Sequence, residues 1–126
     1  MKTDELTGAA LDWAVAKCEG YTCLHKIEGR MPHEPQLVMW PPRKAYGLVD
    51  LWELGYSTDW SLAGPIIERE GIELLCETVG FRWVAMPQKG PEWRGPTPLI
   101  AAMRCYVASK LGDEVELPEE LNHEDR

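Results

Sequence analysis

Two short stretches hold the residue types that can grip a ligand. Trp93, Arg94, Gly95 and Thr97 lead into Pro98, where a helix can begin. A guanidinium there can hold phosphate oxygens in two places, open backbone N–H groups at a helix start favour an anion, and glycine lets the backbone come close. Pro96 and Pro98 each remove one such N–H, and the plainer alternative is a structural cap beside a solvated arginine. The second stretch is Ser57, Thr58, Asp59 and Trp60, followed by Gly64 and Pro65. Asp59 can accept from a base edge or a ribose hydroxyl while Trp60 stacks on the ring; the same residues also serve as ordinary caps and turns. Read together, the two stretches predict one accessible hollow, walled by both indoles, for a small nucleotide-like anion.

Other chemistry has less support. Glu68, Arg69 and Glu70 read as a solvated helix face, with Arg69 outward or paired. Cys18, Cys23, His25 and His33 offer soft ligands at C-x4-C-x-H-x7-H, which matches no usual zinc spacing, and nothing orients His25 as a base for Cys23. No metal and no cofactor are therefore expected, and no catalytic residues.

Bulk properties set the frame. The 126 residues suit one domain, assigned to residues 1–112, followed by an acidic C-terminal tail over 113–126. Ten prolines and eleven glycines point to long loops. Net charge is −8, but seven acids and one arginine lie in residues 112–126, which leaves −2 for residues 1–111. That balance argues against binding to duplex nucleic acid, although the tail could mimic nucleic acid by its charge. No apolar run approaches a membrane span, the start of the chain is polar, and the four scattered cysteines suit a reducing cytoplasm.

The elements that must position the two stretches follow from spacing. Thr3 with Asp4 and Glu5 predicts a helix start, and Leu6, Ala9, Ala10, Trp13 and Ala14 carry that helix to about Cys18 with Trp13 inward. Short strands are expected within residues 21–27 and 36–40, while 45–56 fit neither template. Gly64 and Pro65 open a two-turn helix that Gly71 closes. Residues 72–76 and 81–86 form an antiparallel hairpin, with Phe81, Trp83 and Ala85 on one face and Arg82, Val84 and Met86 on the other. Four prolines and two glycines in 87–98 argue against regular structure there. Thr97 and Pro98 then start the clearest helix, whose stripe is Leu99, Ala102, Met103, Tyr106 and Val107, with Arg104 on its polar side.

Four segments carry a family likeness: LTGAALDWAVAKCEG (6–20), STDWSLAGPIIEREGI (57–72), RWVA (82–85) and GPTPLIAAMRCYVASKLGDEVELPEEL (95–121). They resemble the NinX-like family of small proteins from lambdoid bacteriophages. The resemblance implies a phage accessory protein acting in the host bacterial cytoplasm, and it supplies no catalytic residue set. By analogy with phage proteins that counter host defence, it points to sequestration of a nucleotide signal.

The expectation is an α+β domain, with two main helices packed on a small antiparallel sheet and long Pro/Gly-rich loops. It binds a nucleotide-like anion without catalysis, as a homodimer or higher homo-oligomer, apart from membranes. The rival is a protein-interaction module inhibiting a host defence or nucleic-acid enzyme; a nucleotide hydrolase comes third.

Overall fold

The computed structural model describes residues 1–24, 38–40, 49–50, 53–80, 82–118 and 121. In order they form a 3-10 turn (Thr3–Glu5), helix α1 (Gly8–Cys18), strands β1 (Thr22–Leu24), β2 (Val38–Trp40) and β3 (Val49–Asp50), and helix α2 (Trp60–Glu70). Strands β4 (Glu73–Glu77), β5 (Arg82–Met86) and β6 (Trp93–Gly95) and helix α3 (Pro98–Leu111) follow. The strands make two antiparallel three-stranded sheets, β1-β2-β3 and β4-β5-β6. The α+β expectation holds, with α2 as a third helix of eleven residues.

Helix α3 is the centre of the fold. It packs against β5 and β6 and also meets α1, α2 and the 3-10 turn. Leu99 and every residue from position 101 to 107 are buried. A single apolar stripe was expected; a helix enclosed by partners on several sides has no use for a polar face. Thr97 caps it as expected, its side-chain oxygen accepting from the Ile100 N–H at 3.1 Å, with Pro98 in the first turn.

Register explains which residues meet α3. β4 and β5 pair Leu74 with Ala85 and Glu77 with Arg82, and β5 and β6 pair Ala85 with Trp93 and Val84 with Arg94. Alternation sends Leu74, Trp83, Ala85 and Trp93 into the helical core and puts Glu77, Arg82 and Arg94 on the opposite face. Residues 93–95, expected to be irregular, are thus a strand. Pro91 and Pro96 flank it rather than interrupt it, and three residues at a sheet edge need few ladder bonds. Gly95 is consumed by this packing: a Cβ there would lie 2.8 Å from the Ala101 nitrogen and 3.1 Å from the Ala101 Cα. Its small size brings β6 onto α3, where the sequence suggested close approach of a ligand.

Two helix starts differ from expectation. Thr3 caps nothing; it is buried, and its hydroxyl donates to the Gly112 carbonyl at 2.8 Å, so the chain makes a 3-10 turn and restarts as α1 at Gly8. Helix α2 starts at Trp60, a turn before Pro65, which sits inside it and costs one backbone bond. Its end matches expectation. Gly71, at φ +66°, donates to the Glu68 carbonyl, and Ile72 donates to that of Ile67, closing a Schellman turn.

The acidic segment also begins differently. Met1 and Val115 exchange two backbone hydrogen bonds of 2.8 Å, and Val115 and Leu121 are buried in the common core. Residues from 113 onward therefore begin as part of the body, with Asp113, Glu114 and Glu116 exposed between apolar anchors. Residues 119–120 and 122–126 of the expected tail lie outside the described residues.

Glu19, just past α1, ties three helices together. Arg69 of α2 donates to it at 2.8 Å, the Tyr106 hydroxyl of α3 donates to the same carboxylate, and Arg69 also donates to Tyr106 at 3.0 Å. Partial burial alone would raise the Glu19 pKa. The bonds from Arg69 and Tyr106 and the charges of Arg69 and Lys110 outweigh it, so Glu19 titrates below its ordinary value.

Two outcomes follow from this packing. Gly95→Ala should cost about 1–3 kcal/mol by overpacking β6 on α3, read as a lower urea midpoint with unchanged slope. Glu19→Gln should cost on the order of 1 kcal/mol near neutrality, a modest figure because Arg69 is half exposed. Since the folded carboxyl titrates below the ordinary 4.5, its stabilisation is complete above that pH and decays as pH falls through the folded value. The gap in unfolding free energy between wild type and Glu19→Gln should therefore close on acidification; a gap that ignores pH refutes the charge-based account.

Candidate functional site

A hollow of about 640 Å³ opens where the 3-10 turn, the β4–β5 turn, β6 and α3 meet. Its wall comprises Asp4, Gly80, Arg82, residues 91–96 and Arg104. That volume lies within the range of small-molecule sites.

Arg104 is the one charged residue among the described residues that is buried, at 9% exposure. Its Nε donates to the Leu6 carbonyl at 3.0 Å and its Nη1 to the Arg94 carbonyl at 2.8 Å. Both acceptors are neutral, and no carboxylate among the described residues lies within ion-pair distance. Burial lowers the Arg104 pKa, partly offset by the charge of Asp4, yet a guanidinium keeps its proton in proteins. A cation is thus fixed in the wall with Nη2 lacking a protein acceptor among the described residues.

Arg94 is held differently. Glu77 accepts from its Nε at 3.3 Å and from its Nη2 at 3.0 Å, and Glu92 accepts from Nη2 at 2.7 Å. Hydrogen bonds to Glu77 and Glu92 raise the Arg94 pKa, and the bond from Arg94 lowers that of Glu77. Glu77 also reaches Arg82 at 3.6 Å, as their opposed positions in the ladder require. Trp93 is half-buried, packed on the core by one side and lining the hollow.

The hollow gathers only one of the two expected stretches. Trp93, Arg94 and Gly95 line it; Thr97 is exposed one residue beyond its rim and is used as a cap. None of residues 57–65 lines it, which corrects the expectation of a wall shared by two indoles. Ser57 is buried, giving its N–H to Asp12 at 2.8 Å, and burial raises the Asp12 pKa against that bond. Thr58 is exposed beside the Gly55 carbonyl, and Asp59 caps α2, accepting from the Ser61 N–H at 2.9 Å and the Ser61 hydroxyl at 2.7 Å. Trp60 is 53% exposed, with Gly64 and Pro65 following on α2. The α2 start therefore supplies a cap and an exposed ring, apart from the hollow.

Sequence reasoning missed Arg104, which was expected on a polar helix face. The signal was present: it is the sole charge between Pro98 and Lys110, in a helix apolar on every side, so its burial follows from that of the helix. Arg82 was correctly placed opposite Trp83 but not assigned to a site. Of the soft ligands, Cys18 is half-buried, its thiol pushed up to about 11 by burial, while the side chains of Cys23, His25 and His33 lie outside the described residues. No three His, Cys, Asp or Glu side chains among the described residues converge on a metal position.

Among the described residues no helix is long and apolar enough to cross a membrane. No curated protein matches this chain. Its affiliation comes from a family model instead: residues 2–110, which include the whole wall of the hollow, match the family described as Bacteriophage P22, NinX, and the chain belongs to that phage family.

Proposed function

We propose that this phage accessory protein holds a small nucleotide-like anion in the Arg104 hollow, without turning it over, in the cytoplasm of the infected bacterium. Arg104 is the observation that carries the reading. Among the described residues this guanidinium is bound by carbonyls alone, and an anion entering the hollow would give it a directly bonded charged partner. Trp93 adds a flat ring for a base, and Arg94 and Glu92 set a donor beside an acceptor. Among the described residues the wall carries no hydroxyl, thiol or imidazole side chain, which favours retention over chemistry. Sequestering a nucleotide used in host defence is a role that such a site fits.

The exposed Trp60 supports a second reading, in which α2 docks on a host protein. Exposed Leu75 and Val79 also supply apolar surface for homo-oligomer formation, most simply a dimer.

Calorimetry with a panel of cyclic and linear nucleotides, run beside tryptophan fluorescence, checks the first reading. Trp93→Leu should weaken binding about tenfold, as expected for loss of one stacked base. Trp60→Ala should leave nucleotide affinity unchanged and abolish any host-protein complex. Absence of saturable binding by every nucleotide overturns the first reading; nucleotide binding lost in Trp60→Ala would move the site to α2.

A further inference from the structure

The charges around the hollow are nearly balanced before any ligand enters. Arg94 is held by Glu77 and Glu92, and Glu77 also reaches Arg82. Two carboxylates are thus committed to two arginines, and Asp4 stands on the same wall. The cation with no carboxylate within ion-pair distance among the described residues is Arg104, fixed by the Leu6 and Arg94 carbonyls and offset only at longer range by Asp4. A ligand with one negative charge can be matched by Arg104 with the Glu77–Arg94–Glu92 cluster intact. A second negative charge finds in the described wall only Arg94 and Arg82, the latter 3.6 Å from the shared Glu77, so it must compete with Glu77 or Glu92 for a guanidinium or sit beside three carboxylates.

We propose that the hollow selects singly charged phosphodiester anions over doubly charged phosphate monoesters, and that Glu77 and Glu92 set this preference by keeping Arg94 occupied. The proposal rests on the nucleotide reading given above and adds the class of phosphate. Glu92 is the more accessible of the two, its side chain 45% exposed against 27% for Glu77, so it can be altered with little effect on the sheet.

The test compares adenosine 5′-monophosphate with its phosphate methyl ester, which share base, sugar and phosphorus and differ by one charge. Titrations by calorimetry at pH 8 use the full chain. The methyl ester should bind about tenfold more tightly to wild type. Glu92→Gln should narrow that ratio to about threefold or less, by strengthening the monophosphate more than the ester. Glu77→Gln should act in the same direction, with circular dichroism and thermal melting to confirm an intact fold. A monophosphate that binds as well as its ester overturns the charge selection and leaves the nucleotide reading standing. A ratio that Glu92→Gln does not change overturns the role of the carboxylates. If neither ligand binds while cyclic and diester nucleotides also fail, the nucleotide reading falls and this inference with it.

Discussion

A guanidinium inside the protein is the constraint around which this fold is arranged. Helix α3 is enclosed through its middle, so Arg104 cannot reach bulk water from an outer face. An ion stripped of water costs several kcal/mol unless its donors are met, and carboxylates would be the usual answer. Here two carbonyls answer instead, one leaving the 3-10 turn and one in β6. For both to lie within 3.0 Å, the N-terminal segment and the last strand must close over the same stretch of helix. The contacts of Thr3 with Gly112 and Asp113, and the absent Cβ of Gly95, are the packing that permits this closure. The hollow is the remaining opening beside the cation.

The sheet divides its labour by face. Residues pointing toward α3 are apolar or small, while on the reverse face, beside Leu75 and Val84, the charged residues Glu77, Arg82 and Arg94 form a bridged cluster. At β6 the two systems meet, for Trp93 packs on the core while the next side chain belongs to the cluster. A short strand can serve both because successive side chains alternate. Across the molecule, Glu19 makes a comparable bridge between helices, receiving hydrogen bonds from Arg69 and Tyr106. Both clusters use one carboxylate for several donors, which makes their members energetically interdependent.

Much of this arrangement was legible in the sequence where the signal was local. The Thr97-Pro98 start, the Gly71 stop and the β4–β5 hairpin depend on neighbours in the chain, and all were read from them. Pairings between distant segments were not legible. Thr3 looked like a cap because its partner, Gly112, is 109 residues away. Residues 93–95 looked irregular because prolines dominate the window, whereas the ladder to β5 that makes them a strand is tertiary. The same limit applies to the site. Trp93 and Arg94 drew notice by type, but Arg104 becomes informative only once α3 is seen to be covered all round, and Ser57 and Asp59 turned out to be engaged by Asp12 and Ser61.

The Arg104 acceptors are main-chain atoms, and that has a consequence for how relatives of this chain would look. Any side chain at positions 6 and 94 brings a carbonyl with it, so no single replacement there deletes the acceptor. Natural variation at those two sites can drift under other pressures while the arginine stays put. Coevolution statistics, which register compensating changes between side chains, would be blind to the contact that anchors the site; only coordinates reveal it.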